Sequence, residues 1–208
     1  MPMIGLMGNT LSVMFDTPSP LPLAASLTHW SPGDTFSPAA AWYTKLDPIG
    51  GEGALFNNQY GFMTMSSAPS GKAFGIRLLS ASAELQSWNY GNGQNRFDEI
   101  FQEPGDQVLW NGSMWHNYFT LPAGTAAGVY SATFEIFIAD ATFTDGTGYA
   151  DYTPGALNAA QDMNYNTVSF TYEWQVVPEP SSALLVLAAL GGVLVFRRSF
   201  RRSESVGT

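Results

Sequence analysis

Residues 167–177 read Thr167-Val168-Ser169-Phe170-Thr171-Tyr172-Glu173-Trp174-Gln175-Val176-Val177, and the pattern of this stretch decides the fold. Apolar side chains occupy every second position up to residue 176, and hydroxyl, amide or carboxylate side chains occupy the positions between them. The same alternation runs through residues 129–139, where the apolar face comprises Tyr130, Ala132, Phe134, Ile136 and Ile138. A period of two is typical of antiparallel strands that are buried on one face and exposed on the other. We therefore predict two long, half-buried strands.

Shorter segments of the same character precede these two strands. We predict strands at residues 11–15, 58–65, 72–81 and 84–90, and turns without regular pairing at 17–22 and 91–95. Asn111-Gly112 predicts a hairpin turn between two short apolar runs, because both central residues of a type I′ turn need positive φ.

Residues 140–166 lie between the two long strands and contain turn residues, with one short helix candidate at 156–163. Such a long crossover is typical of Greek-key sandwiches, in which consecutive strands belong to different sheets. We therefore predict an all-β fold, an antiparallel β-sandwich of the Greek-key or jelly-roll type, followed by a single C-terminal hydrophobic helix.

Composition limits the classes of function. The chain has 208 residues, 45% of them hydrophobic and none of them cysteine. This is enough for one domain with a sizeable core, and it excludes a disulfide framework and a cysteine nucleophile. Residues 1–176 carry four basic and fifteen acidic side chains, a net charge of −11. So acidic a domain argues against binding to nucleic acid or to anionic lipid surfaces.

The C-terminal end differs from the rest of the chain. Residues 183–196 (ALLVLAALGGVLVF) carry no charge and are followed by four arginines within six positions. A helix of this length spans about 21 Å, short of the roughly 30 Å of a bilayer core unless flanking residues extend it. Arginines at one end place that end in the cytoplasm, and residues before the helix would then face outward.

The order of three features in this tail resembles the PEP-CTERM sorting signal of exported bacterial proteins. The motif corresponds to Val177, Pro178, Glu179 and Pro180, the membrane segment to residues 183–196, and the basic cluster to Arg197, Arg198, Arg201 and Arg202. The resemblance implies recognition by an exosortase, a membrane-embedded processing enzyme, and delivery to the cell envelope or exopolysaccharide matrix. The two prolines would keep the motif extended for that enzyme.

This resemblance divides the chain into three predicted parts. Residues 1–176 would be the exported β-sandwich, residues 177–202 the sorting signal, and residues 203–208 a short cytoplasmic tail. The ectodomain would lie outside the cell, anchored by the C-terminal helix or released after processing. Residues 1–16 lack the basic start and continuous apolar run of a secretory signal. We expect the natural start to lie upstream or the sequence to be a mature fragment; the alternative is a chain that is not exported.

Metal ligands are sparse in the sequence. The two histidines, His29 and His116, each adjoin a tryptophan, and the fold could bring them together as a metal pair. Residues 140–166 also offer oxygen ligands for calcium, which prefers carboxylates on loops. The candidate calcium ligands are Asp140, Asp145 and Asp151, with Asp162 and Asn164 nearby. Solvated loop carboxylates without an ion are the alternative.

Aromatic residues near predicted turns suggest a second hypothesis for function. Trp88, Tyr90, Trp110 and Trp115 could stack on sugar rings, or they could fill the core between two sheets. No nucleophile elbow, zinc-protease motif or phosphate-binding loop occurs. We therefore expect a non-enzymatic envelope or matrix protein, with a carbohydrate-binding module, with or without calcium, as the alternative. A hydrolase with paired carboxylates is a third hypothesis.

Overall fold

Fourteen strands and one short helix account for the regular structure of the described residues. The computed structural model describes residues 2–15, 19–22, 24–25, 54–90, 97–144, 150–151 and 153–177. The elements are β1 (Pro2–Met7), β2 (Thr10–Phe15), β3 (Leu21–Pro22), β4 (Ala24–Ala25), β5 (Leu55–Asn57), β6 (Met63–Thr64), β7 (Ala73–Ala81), β8 (Gln86–Tyr90), β9 (Phe97–Ile100), β10 (Gln107–Trp110), β11 (Tyr118–Leu121), β12 (Gly128–Ala139), β13 (Ala150–Asp151), α1 (Pro154–Leu157) and β14 (Val168–Val176). The described part of the chain is therefore all-β, as the sequence predicted.

The strands form three sheets, in which most neighbours are antiparallel. The six-stranded sheet has the order β13-β10-β7-β12-β14-β3, the five-stranded sheet β4-β5-β11-β8-β9, and the three-stranded sheet β2-β1-β6. The two long strands predicted from the alternating pattern are β12 and β14. Because they pair directly, from Gly128 opposite Val176 to Ile136 opposite Val168, the prediction that they belong to different sheets is wrong. In this register their aromatic positions coincide, with Phe134 opposite Phe170, so pairing in one sheet buries both apolar faces together.

Side chains from all three sheets pack into one core, which is rich in aromatic residues. The alternating residues of β12 and β14 supply its centre: Phe134 and Trp174 are 1% and 0% exposed, and Tyr172 is fully buried. Phe119 of the five-stranded sheet lies 4.3 Å from Trp174, and the ring of Phe62 meets that of Phe134 edge-on at 5.6 Å. The core is thus held largely by aromatic contacts, which need no disulfide.

A second, smaller cluster covers the outer face of the six-stranded sheet. Phe137 of β12 and Leu109 of β10 pack there with Ala156 of α1. The amide of Gln107 donates hydrogen bonds to the carbonyl groups of Ala156 and Ala159, at 3.1 and 2.9 Å. The crossover after β12 therefore lies across this face.

Four shorter sequence predictions differ from the structure. Asn111-Gly112 does not join a hairpin: Asn111 Oδ1 accepts a hydrogen bond from the Ser113 backbone, and Trp115 pairs with Phe62 instead of with β10. Residues 58–65 contribute only β6 and the bridge at Phe62, and α1 spans four residues instead of 156–163. Residues 17–22 were expected to be unpaired, yet β3 pairs in parallel with β14 through Leu21 and Trp174.

The predicted C-terminal hydrophobic helix at residues 183–196 lies outside the described residues. None of the helical structure that could be described has the length and apolar character needed to cross a bilayer.

Candidate functional site

A cleft of about 250 Å³ between β9 and β10 is the best candidate for a binding pocket among the described residues. Its lining comprises Glu99, Ile100, Phe101, Gln102, Asp106, Gln107, Val108 and Leu157. Two carboxylates and two amides thus face an opening with apolar walls. Such groups are suited to hydrogen bonding with hydroxyl groups of a ligand.

The backbone next to this cleft is held in an unusual conformation. Phe101 has a φ of 57°, which lies in the left-handed region and costs a residue other than glycine about 1–3 kcal/mol. Its ring is 6% exposed and contacts Phe134 edge-on at 5.2 Å. Asp106 closes the turn, because its carboxylate accepts hydrogen bonds from the backbone amides of Gln102 and Glu103. Core packing and this turn together fix the shape of the cleft.

Gln107 connects the cleft to a charged network on the six-stranded sheet. Its Oε1 accepts two hydrogen bonds from the guanidinium of Arg77, at 3.3 and 3.2 Å. Arg77 also forms an ion pair with Glu135 at 2.8 Å and lies 4.5 Å from the centre of the Phe137 ring. All hydrogen-bonding groups of Gln107 are therefore engaged within the protein, and of the amides in the cleft Gln102 is the more exposed.

Two of the four tryptophan and tyrosine residues predicted to bind sugars are core residues. Trp110 is 0% and Trp115 is 2% exposed, and their indole nitrogens donate to the Ser113 carbonyl and to Asn89 Oδ1. Their faces are covered, so the predicted stacking role does not fit their positions. Trp88 is half-buried with its indole nitrogen bonded to Thr120. The side chain of Tyr90 is not among those that the structure describes. Of the four predicted sugar-binding residues, Trp88 is therefore the one described side chain that could still stack on a sugar.

The predicted calcium ligands are engaged with donors of the protein itself. Asp140 and Asp162 both bind the ammonium group of Lys72, at 2.6 and 2.8 Å. Asp151 is 4% exposed and accepts a hydrogen bond from the Thr153 backbone. A lysine thus occupies the position between the two aspartates that the hypothesis gave to an ion, and the structure does not bring Asp151 into this group.

The remaining predicted ligands do not come together within the described part of the chain. His116 is exposed and its Nδ1 lies 3.0 Å from the carbonyl oxygen of Asn58, while His29 and Asp145 are outside the described residues. In the ranges that are described, no three histidine, aspartate or glutamate side chains are placed to hold a metal ion. Of the predicted sorting residues only Val177 is described; Pro178, Glu179, Pro180, Arg197, Arg198, Arg201 and Arg202 are not.

The Lys72 ion cluster, defined here as Lys72, Asp140 and Asp162, attaches the crossover to the start of β7. Hydrogen bonds to Asp140 and then Asp162 raise the pKa of Lys72 above its ordinary 10.5. The pKa of Asp162 is lowered from 3.8, chiefly by the hydrogen bond from Lys72 and next by that from the Asn164 backbone. Asp162 itself is only 8% exposed. Lys72 and Asp162 are therefore both charged throughout the physiological pH range.

Replacing Lys72 with methionine should destabilise the protein at neutral pH, because the Asp162 carboxylate loses its cation. Because the pKa of Asp162 is lower in the folded than in the unfolded protein, the charged carboxylate stabilises the fold at pH values above the unfolded-state pKa of 3.8. This stabilisation is lost as the pH falls through the folded-state pKa. Because the pKa of Lys72 is higher in the folded than in the unfolded protein, its charge stabilises the fold at pH values below the unfolded-state pKa of 10.5. This stabilisation is lost as the pH rises through the folded-state pKa. The difference in free energy of unfolding between wild type and variant should be constant from about pH 5 to 9 and shrink below about pH 4. Urea denaturation across this range measures it.

The matched control is Glu103→Gln, which removes an exposed carboxylate. Adding Asp162→Asn to Lys72→Met should recover stability at neutral pH, because the uncompensated carboxylate is then gone. A pH-independent difference for Lys72→Met would contradict this account of the cluster.

The comparisons with known proteins provide no relative for this chain. No protein-family model, no curated protein and no solved structure was found to match it.

Proposed function

We propose that this chain is a non-enzymatic protein of the cell envelope or extracellular matrix, delivered there through a C-terminal signal of the PEP-CTERM type that an exosortase processes. The observation that carries the proposal is the sequence of the tail. A Pro-Glu-Pro motif at residues 178–180, an uncharged segment at 183–196 and four arginines follow one another without interruption by other features. Signals of this kind act as addresses that a receptor reads in the peptide sequence.

The end of the described domain agrees with such a role. β14 ends at Val176, which is buried, whereas Val177 is 55% exposed. The motif therefore begins immediately after the last residue that the core needs. Removal of the peptide after this point would leave every described strand intact, which is the property expected of a signal that is separate from its cargo.

The described domain has properties that suit a protein exposed outside the cell. Its core is rich in packed aromatic rings, and the chain has no cysteine with which to form a disulfide. Its acidic surface opposes adsorption to anionic lipid and nucleic acid. We infer a structural or interaction role, with the exosortase and the exopolysaccharide matrix as partners.

The experiment that tests the proposal measures processing of the full chain, fused to a secretory signal, in a bacterium with an exosortase and in a strain that lacks it. Intact-mass spectrometry and fractionation of cells and medium follow the C-terminal segment. We expect shortening of the chain at its C-terminal end only where the exosortase is present. The variant with Pro178→Ala, Glu179→Ala and Pro180→Ala should remain unprocessed and membrane-associated.

The control variant carries Ser181→Ala and Ser182→Ala, which change neighbouring residues without altering the motif. It should be processed as wild type is. Equal processing of the motif variant, or equal processing in the strain without exosortase, would refute the proposal.

A further inference from the structure

Methionines are concentrated on the outer face of the three-stranded sheet. In the register of β1 with β2 and β6, Met3 lies between Met14 on one side and Met63 on the other. Beyond β6, Phe62 and Trp115 exchange two backbone hydrogen bonds, of 2.8 and 2.9 Å, so the adjoining residues Met63 and Met114 lie on neighbouring chain segments. Four methionines from four adjacent chain segments thus lie side by side in a row, which we define as the methionine row: Met14, Met3, Met63 and Met114.

The alternation of side chains along each strand directs the methionine row outward. Ile4, Phe62 and Trp115, which follow or precede members of the row, are at most 2% exposed and belong to the core. Successive residues of a strand point to opposite faces, so the methionines face away from that core. Their exposure agrees: Met14 and Met114 are each 51% exposed, and Met3 and Met63 are partly exposed.

Apart from a further methionine, Met7, no large side chain shares this face with the row on β1 and β2. The remaining positions are Gly5 opposite Ser12 and Met7 opposite Thr10. Here the thioether is the large group that recurs from strand to strand, so the face presents sulfur repeatedly.

Thioether sulfur is a soft ligand that selects Cu(I) over hard cations. Side chains directly opposite on neighbouring strands have Cβ atoms about 4.5–5.5 Å apart, and methionine has three rotatable bonds with which to direct its sulfur. The thioethers of the three directly paired residues, Met14, Met3 and Met63, can therefore converge on one ion above the sheet. The small residues Gly5 and Ser12 leave space for this movement. We infer that the methionine row binds a soft monovalent cation of the Cu(I) and Ag(I) class.

Silver nitrate in chloride-free buffer is the first probe, because Ag(I) is stable in air; Cu(I) under anaerobic conditions is the second. The full chain, labelled with ¹³C on the methionine methyl groups and held in a non-ionic detergent, is titrated and followed by NMR. We expect the methyl signals of the row to shift together and to saturate at one equivalent. The signal of Met163, which is 83% exposed on a loop, should not move at that ratio.

Leucine variants identify the ligands without disturbing the fold, since leucine and methionine have similar volumes. Met3→Leu with Met63→Leu should weaken Ag(I) binding by at least about tenfold, the lower end of the effect of losing even an outer partner of a metal ligand. Met163→Leu is the matched control and should bind as wild type does. Circular dichroism establishes that each variant is folded.

Three results would overturn the inference. These are the absence of saturable binding, shifts at Met163 as large as those of the row, and unchanged affinity in the folded Met3→Leu, Met63→Leu variant. If the face serves an apolar partner instead, the first of these results is expected.

Discussion

Replacing Phe134 with alanine should lower the free energy of unfolding by about 3–5 kcal/mol, the range for removing a large aromatic from a core that relaxes incompletely. Phe134 is 1% exposed, and its ring centre lies within 6.2 Å of those of five other aromatic rings. Those rings are Phe62, Phe101, Phe119, Phe170 and Tyr172. They come from several elements, including β11, β14 and the residue that follows β9. No single shift of the backbone can therefore fill the cavity that the substitution would leave.

Urea denaturation followed by tryptophan fluorescence measures this loss, and a decrease in Tm of about 6–20 °C should accompany it in a domain of this size. The control is Val129→Ala on the same strand, where the side chain is 56% exposed and the change should be within about 0.5 kcal/mol. Similar losses for the two variants would mean that Phe134 is not at the centre of the core.

Replacing Gly61 with alanine should cost at least about 1–3 kcal/mol through overpacking. A Cβ at this position would lie 2.5 Å from the carbonyl oxygen of Trp115 and 3.0 Å from His116 Nδ1. The carbonyl group of Gly61 also accepts the hydrogen bond of the buried Tyr172 hydroxyl. Because the closest atom belongs to the backbone of the Phe62–Trp115 bridge, relief of the contact must displace that bridge.

Gly155→Ala is the matched control for Gly61→Ala, since among the described residues no atom beyond its chain neighbours and its own helix backbone lies within 4 Å of the added Cβ. Gly155 lies in α1, and alanine there should be neutral or stabilise the protein by up to about 1 kcal/mol through the unfolded chain. Differential scanning calorimetry of both variants compares them. Equal Tm values would show that the backbone at Gly61 adapts without cost.

The alternating pattern predicted the face of the two long strands that enters the main core, because burial on one face depends on position within the strand; it did not predict that Phe137 and Ala139, on the opposite face of β12, are buried as well. Phe134, Tyr172 and Trp174 are all core residues, as predicted. The partner of each strand could not be obtained in this way. β12 and β14 each present an apolar face, and that property is equally compatible with pairing in one sheet and packing between two.

The candidate sites were harder to predict from the sequence than the core was, because strand register, and not the local pattern, brings their residues together. Met3 and Met63 are sixty positions apart in the sequence, and only the pairing of β1 with β6 brings them together. Likewise Lys72 meets Asp162 because the crossover returns to the start of β7. The tryptophans show the opposite error: nearness to a turn suggested exposure for Trp110, whereas Trp110 is the last residue of β10 and its ring packs in the core against Phe62 and Phe74.

The position of β14 has a consequence for the order of synthesis. β14 lies between β12 and β3, and Asn166, just before it, accepts a hydrogen bond from the Leu11 amide 155 residues earlier. A nascent chain leaves the ribosome with its N-terminus first, so β3 and β12 are complete while the strand that joins them is still being translated. Until residue 176 has emerged, the edge of β12 that pairs with β14 has no partner strand and is open to chaperones and to other nascent chains, and native structure can close only in a late step.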